Sequence, residues 1–481
     1  MNTALLWLVE QLQPAFSHPR VYERAKTLIF SSLLCLGRHT ITGLLSTCGQ
    51  QFVDWSAAYR IFERRRFDPT TLFDVPLRAT IAALEPMSPI IAALDDSILR
   101  KRGRHVYGTA WRRDPLGPHF STNLVWAQRV LQVSLLLPAQ PLHTPGGARA
   151  IPVDLSHCPT ARKPSRKATE QDWDAYRQLR RTQRISVCGA TTLHHLRQRL
   201  DQDPDTAQRL LVTCVDGGFT NRELFAHPPS RTALIGRIRK DARLFLPASQ
   251  TQRKRNGRRR IYGEQLPTPE QMRQDPLIPW THITAFAAGR CFTVRIKSIG
   301  PVLWRPAGGT HPMRLIIIEP LAYRPRAGAH LLYRMPGYLL CSDLTLSEQD
   351  IVQWYFWRWE LELNFRDEKT LLGVGEAQVR TPMAVEAVPQ FQVAGYACLL
   401  LAHHQVREQM DLVPAPAWQR GHPERESRCT TMKMISQLRA EVWADAINGE
   451  HFSDFGLNQQ MRTKSEKFDF PIKDAILYAV N

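Results

Sequence analysis

Four residues of one short stretch, Tyr355-Phe-Trp-Arg-Trp-Glu-Leu-Glu-Leu-Asn-Phe-Arg-Asp-Glu-Lys369, have the types and spacing for chemistry at a phosphate. At about 100° per residue on an α-helix, Tyr355, Arg358, Glu362 and Lys369 fall within roughly 60° of one another. One face then presents a phenol, a guanidinium, a carboxylate and an ammonium. The carboxylate offers a hard oxygen ligand to Mg²⁺, and cations one and two turns away suit phosphate oxygens. Ordinary ion pairing at i, i+4, as between Arg358 and Glu362, is the competing explanation. It is weakened by the presence of the whole spacing, Tyr-x2-Arg-x3-Glu-x6-Lys.

The element that must carry these side chains opens at Ser347-Glu-Gln-Asp350, where Ser347 can serve as N-cap and Asp350 takes the acidic place of a capping box. No Gly or Pro follows until Gly373, so one long helix is expected. Its apolar majority, including Trp354, Trp357, Leu361 and Phe365, should bury most of it.

Two further acidic positions follow apolar runs. Pro89-Ile-Ile-Ala-Ala-Leu94 reads as a buried strand ending at Asp95-Asp96-Ser97. A carboxylate at a strand exit is rigidly held yet open to solvent, which suits a metal ligand; a plain turn is the alternative. Gln208-Arg-Leu-Leu-Val-Thr-Cys-Val-Asp216 reads as a second buried strand. It ends at Asp216, and Gly217-Gly218 then allows a sharp turn and close approach of a backbone or phosphate.

The Tyr-Arg-Glu-Lys spacing resembles the signature of the DDE transposases of the insertion-sequence 4 class. The run Asp95-Asp96-Ser97, Lys101, Gly103, Gly108 and Gly117 is similar to the insertion-sequence 701 group. The resemblance spans about residues 90–380, with gaps. It implies Asp95, Asp216 and Glu362 as catalytic and metal-binding acids, with Asp96 the alternative first acid. It also implies Tyr355, Arg358 and Lys369 as residues that position the DNA backbone. Two Mg²⁺ ions are the implied cofactors, with Mn²⁺ an accepted substitute. The implied fold is α/β: a ribonuclease H-like catalytic core with a β-rich insertion, flanked by helical N- and C-terminal regions. The implied activity is DNA transposition, in which the enzyme of a mobile element cuts transposon ends and joins the freed 3′-hydroxyls to target DNA. A nuclease of the same fold and a non-catalytic DNA-binding regulator are the alternatives.

Composition agrees with a polyanionic partner. The chain has 481 residues, with Lys+Arg 63 against Asp+Glu 44, a formal charge of +19. An excess of this size favours nucleic acid or an acidic membrane surface. No run of 18 apolar residues and no signal-peptide pattern is present, so no membrane is expected. Nine scattered cysteines without a Cys-x-x-Cys pair argue against zinc and a disulfide framework and fit a reducing cytoplasm. A bacterial, nucleoid-associated protein acting on double-stranded DNA as a homodimer in the synaptic complex is the resulting expectation.

Along the chain, residues 1–80 read as a helical DNA-binding region, with four arginines among Trp55 to Arg66. Residues 81–232 read as the first part of the core, 233–345 as the β-rich insertion, 346–410 as the second part of the core, and 411–481 as a C-terminal linker and helical region. Residues 138–164, rich in Pro, Gly and Thr, read as a loop. Residues 234–245 read as one alternating strand with Arg237, Arg239 and Arg243 on one side. The block Gln252-Arg-Lys-Arg-Asn-Gly-Arg-Arg-Arg260 is too charged to form a core. Arg237, Arg239, Lys254 and Arg258 are therefore expected DNA-phosphate contacts, and Trp304 is a candidate base-stacking residue.

Overall fold

The structure is a computed structural model, and it describes residues 1–114, 117–118, 120–248, 260–309, 311–324, 328–407 and 428–449. In chain order, helices α1 (Asn2–Glu10), α2 (Pro19–Leu34), α3 (Ile41–Thr47), α4 (Ser56–Glu63) and α5 (Pro69–Ala82) come first. Strands β1 (Ile90–Arg100), β2 (Ala110–Arg113), β3 (Leu124–Pro138) and β4 (Ala148–His157) follow. Next are α6 (Glu170–Thr182), α7 (Ile185–Asp201), α8 (Pro204–Ala207), β5 (Leu211–Val215), α9 (Arg222–Phe225) and β6 (Thr232–Arg237). The β-rich stretch contains β7 (Leu244–Pro247), β8 (Tyr262–Gln265), α10 (Pro269–Gln274), β9 (Thr281–Ala287), β10 (Arg290–Trp304), β11 (Met313–Ile318), β12 (Ala322–Tyr323), β13 (Leu332–Tyr333) and β14 (Gly337–Cys341). Helices α11 (Glu348–Trp357), α12 (Trp359–Thr370), α13 (Pro382–Val406) and α14 (Thr431–Gly449) close the described chain.

The fold is α/β, a large mixed sheet flanked by helices. Five strands in the order β4-β3-β1-β5-β6 form one half of it. Strand β3 runs antiparallel to β1, while β1, β5 and β6 are parallel. This is the ribonuclease H-like arrangement. The β-rich stretch continues the same sheet: β14 pairs with β6, β11 with β14 and β10 with β11.

Side-chain alternation in β1 divides the core. Ile90, Ala92 and Leu94 face a cluster with Leu193 and Leu196 of α7, whereas Ile91 and Ala93 face Trp354, Trp357 and Leu361 of the α11–α12 pair. The 25-residue α13 is long and apolar enough to cross a membrane, yet 94% of its most apolar window is buried inside the protein. It is the hub on which α1, α2, α4 and α5 rest, through Leu5, Ile29, Phe62 and Phe391 among others.

Four local expectations change. Strand β1 does not end at Leu94 but runs on to Arg100, because β3 pairs with it throughout. Strand β4 lies within the expected Pro-rich loop. As an edge strand it tolerates Pro152, and the register with β3 shifts at Val133/Ser134 beside that proline. Residues 234–245 are not one strand, since β6 stops at Arg237 and the chain turns before β7, so Arg239 does not share a strand face with Arg237. The long helix is interrupted at Arg358, where Arg358 N–H bonds Tyr355 O and Leu361 N–H bonds Arg358 O, a tightened turn between α11 and α12.

Candidate active site

Register sets the first two acids side by side. Val215, the last residue of β5, lies opposite Leu94 of β1, so Asp95 and Asp216 are the next residues of two adjacent parallel strands. Adjacent strands lie about 4.8 Å apart. The turn after β5 is fixed by Asp216 itself. Its Oδ1 accepts the N–H groups of Gly218 at 2.9 Å and Phe219 at 3.0 Å, and its carbonyl accepts the Thr220 hydroxyl at 2.8 Å. A Cβ on Gly218 would meet that Oδ1 at 3.2 Å, tighter than ordinary contact, which favours glycine there.

Asp95 continues the Ile91 and Ala93 face and so points toward α11 and α12. Arg358 Nη1 donates to its Oδ2 at 2.9 Å, and the Asp96 N–H donates to its Oδ1 at 2.8 Å. Burial, reinforced by the charge of Asp216, pushes the Asp95 carboxyl up to about 7 despite the opposing Arg358. Asp96 lies on the other face of β1, with Arg129 Nε 3.2 Å from its Oδ2. Burial raises its carboxyl too, against the pull of Arg129.

The third acid arrives on α12. Glu362 Oε1 accepts a hydrogen bond from Arg358 Nη2 at 2.8 Å, so one guanidinium spans Asp95 and Glu362. Ser347 positions the helix pair by accepting the Asp350 N–H at 3.1 Å. The Arg358 guanidinium also lies 5.6 Å from the centre of the Tyr355 ring. Burial raises the Tyr355 phenol above its ordinary value, while Arg358 and Arg237 act the other way. Two turns along, Lys369 Nζ donates to the Ser97 hydroxyl at 2.5 Å. Burial lowers its ammonium, opposed by Glu368.

Arg358 thus links Asp95 to Glu362 and lies against Tyr355, Asp216 follows the strand residue paired beside Leu94, Lys369 reaches Ser97 two residues beyond Asp95, and Arg237 ends the adjacent β6. Arg239 is ion-paired with Asp241 at 3.0 Å in an exposed turn. Lys254 and Arg258 lie outside the described residues. Trp304 is half-buried and packs edge-on against Phe225 at 5.8 Å, at the margin of the core.

A cavity of about 980 Å³ opens beside Asp95, Asp96, Glu362 and Lys369; Asp216 is not on its wall. Arg38, Lys101, Arg366 and Arg380 line it as well. Sequence reasoning did not single out a role for these four. Lys101 follows directly on β1 and was legible as such, but Arg38 is delivered from the N-terminal helices. There the His39 N–H is held by Glu376 Oε2 at 2.9 Å.

Three carboxylates form an oxygen-only donor set suited to a hard divalent cation. Burial is the main cause of the raised Asp95 carboxyl, and the neighbouring charge of Asp216, the lesser cause, is one that such a cation would relieve. Among the described residues, no group of three His, Cys, Asp or Glu side chains is gathered closely enough to hold one ion together. Arg358 supplies the positive charge between Asp95 and Glu362 in this arrangement.

Comparison with known families places the chain. A family model described as DDE superfamily endonuclease covers residues 11–290, more than half of the chain, including Asp95 and Asp216 and ending before Glu362. No curated protein matches the chain.

Proposed function

We propose that this chain, which belongs to the DDE superfamily endonucleases, is a DNA transposase that cuts transposon ends and joins them to target DNA. The family implies an endonuclease acting on DNA, and enzymes of the superfamily use divalent metals. The observation that carries the finer reading is the fork of Arg358. It ties the helix acid Glu362 to the strand acid Asp95, which stands next to Asp216 in the register.

In this reading Asp95, Asp216 and Glu362 would hold two Mg²⁺ ions, which would supply Lewis-acid activation of an attacking oxygen and charge relief at a leaving oxygen. The protein's own groups supply the rest. Lys369, held by Ser97, and Arg358 present cations to the phosphates flanking the scissile bond, and Tyr355 buttresses Arg358 from below. Arg237 extends the positive surface at the end of β6. No side chain forms a covalent bond to DNA, so the same acids serve hydrolysis at the transposon end and attack on the target. A pair of chains would hold two ends in one synapse.

The experiment is a paired assay with Glu362→Gln. The variant should bind transposon-end DNA as the wild type does, while Mg²⁺-dependent cleavage falls about a thousandfold or more. Precleaved ends then test joining by the wild type. Cleavage without joining would reduce the proposal to a nuclease, and full cleavage by the variant would remove the site assignment.

A further inference from the structure

Strand pairing beyond the acids creates a surface that the proposed chemistry does not use. Along β1, Asp95, Ser97 and Leu99 share one face, and Lys101 follows them. The Lys101 N–H bonds Trp126 O at 2.9 Å, and Trp126 lies opposite Trp111 in the β2–β3 pair. The same register puts Arg113 and Leu124 on the face of Trp111 and Trp126, whereas Arg112 points the other way, is buried and donates to the Thr160 hydroxyl at 2.7 Å. The two indoles meet edge to face with centroids 5.5 Å apart. Trp126 is anchored by its Nε1–H, which donates to Gly103 O at 3.1 Å, and Trp111 stays 65% exposed.

Cations flank these rings along the chain: Arg102 and Arg104 on either side of the Gly103 that Trp126 bonds, and Arg113 two residues from Trp111 on β2. Arg102, Arg104 and Arg113 are exposed, and Lys101 lines the cavity that also borders Asp95 and Glu362. The nearby acid Asp114 is matched by Arg100 at 2.8 Å. A rigid, solvent-facing tryptophan set among arginines is a stacking platform for a nucleobase, because every base offers a π-face and the cations follow its backbone. A paired base inside a duplex keeps that face covered, so the platform selects an unpaired one.

We infer that Trp111, backed by Trp126, holds an unpaired base of the DNA strand leaving the acids, about 20 Å away along β1. The inference rests on the reading of Asp95 and Glu362 as the DNA-cutting site. It adds that the bound DNA is opened, or already single-stranded, on this side of the scissile phosphate. The charge of the surface favours nucleic acid over a protein partner.

The test measures binding in EDTA, where no cleavage occurs, with a blunt duplex and with the same duplex carrying a short single-stranded overhang. Trp111→Ala should weaken overhang binding about tenfold, the scale of one lost base–aromatic stack, and leave blunt-duplex binding within about twofold. Trp111→Phe should restore most of the affinity. A 2-aminopurine placed in the overhang should be quenched by the wild-type protein. Equal losses on both DNAs, no loss on either, or an unquenched 2-aminopurine would overturn the platform, and so would a change in self-association with overhang affinity intact. Wild-type protein that binds neither DNA would instead overturn the underlying reading of the site.

Discussion

Arg358 bonds Asp95 and Glu362 at once, at 2.9 and 2.8 Å, through the two terminal nitrogens of one guanidinium. A planar fork can do this, and a lysine ammonium on a flexible stem does not reproduce it. Removing it leaves the buried Asp95 beside Asp216 without its cationic neighbour. Arg358→Ala should therefore lose about 3 kcal/mol of stability at pH 8, and Arg358→Lys should recover only part. Urea unfolding in EDTA measures both. Unchanged stability of the alanine variant would show that the bridge is incidental.

The two neighbouring aspartates should separate cleanly. Asp95 faces Glu362, while Asp96 is turned to Arg129 on the opposite face of β1. Asp95→Asn is expected to abolish Mg²⁺-dependent cleavage, and Asp96→Asn to retain it within about tenfold. Equal loss in both would mean that the two faces do not act separately.

Divalent cations should stabilise the fold through the acids. Asp95 and Asp216 repel each other in the present arrangement, so Mg²⁺ or Mn²⁺ at concentrations well above its dissociation constant should add about 2 kcal/mol. Thermal melts with and without EDTA read this as a shift of a few degrees. Asp95→Asn or Glu362→Gln should shrink the shift, and a shift undiminished in both variants would place the ions elsewhere.

Stability should also fall with rising pH because of Glu368. This carboxyl is buried on α12, and burial raises it from 4.5 to about 7, with Gln132 and Lys369 opposing. Between those values the folded chain binds the proton that the unfolded chain has released. Its favourable contribution is therefore whole below pH 4.5 and fades as pH climbs through 7. Glu368→Gln should remove up to about 3 kcal/mol of that decline. Denaturant curves at pH 5 and pH 8 compare the slopes, and parallel slopes for wild type and variant would exclude Glu368 as the cause.

Much of this was legible because it is local. Apolar runs before Asp95 and Asp216 announce strands, and a helical spacing announces Tyr355 to Lys369. What was hidden depends on partners distant in sequence. Nothing near Leu94 says that β3 will pair on to Arg100, and Pro152 looks like a breaker until β4 is seen to occupy an edge. The tightened turn at Arg358 follows no glycine or proline. Arg38 reaches the cavity only because the N-terminal helices fold against α13. Trp304 and Trp111 carry the same side chain in similar sequence surroundings, yet one is half-buried against Phe225 and the other is 65% exposed.

Cys341 of β14 sits opposite Ile235 of β6 on one side and Arg314 of β11 on the other. The β-rich stretch is thus joined to β5, the strand ahead of Asp216, through successive rungs of backbone hydrogen bonds, without a slack tether between.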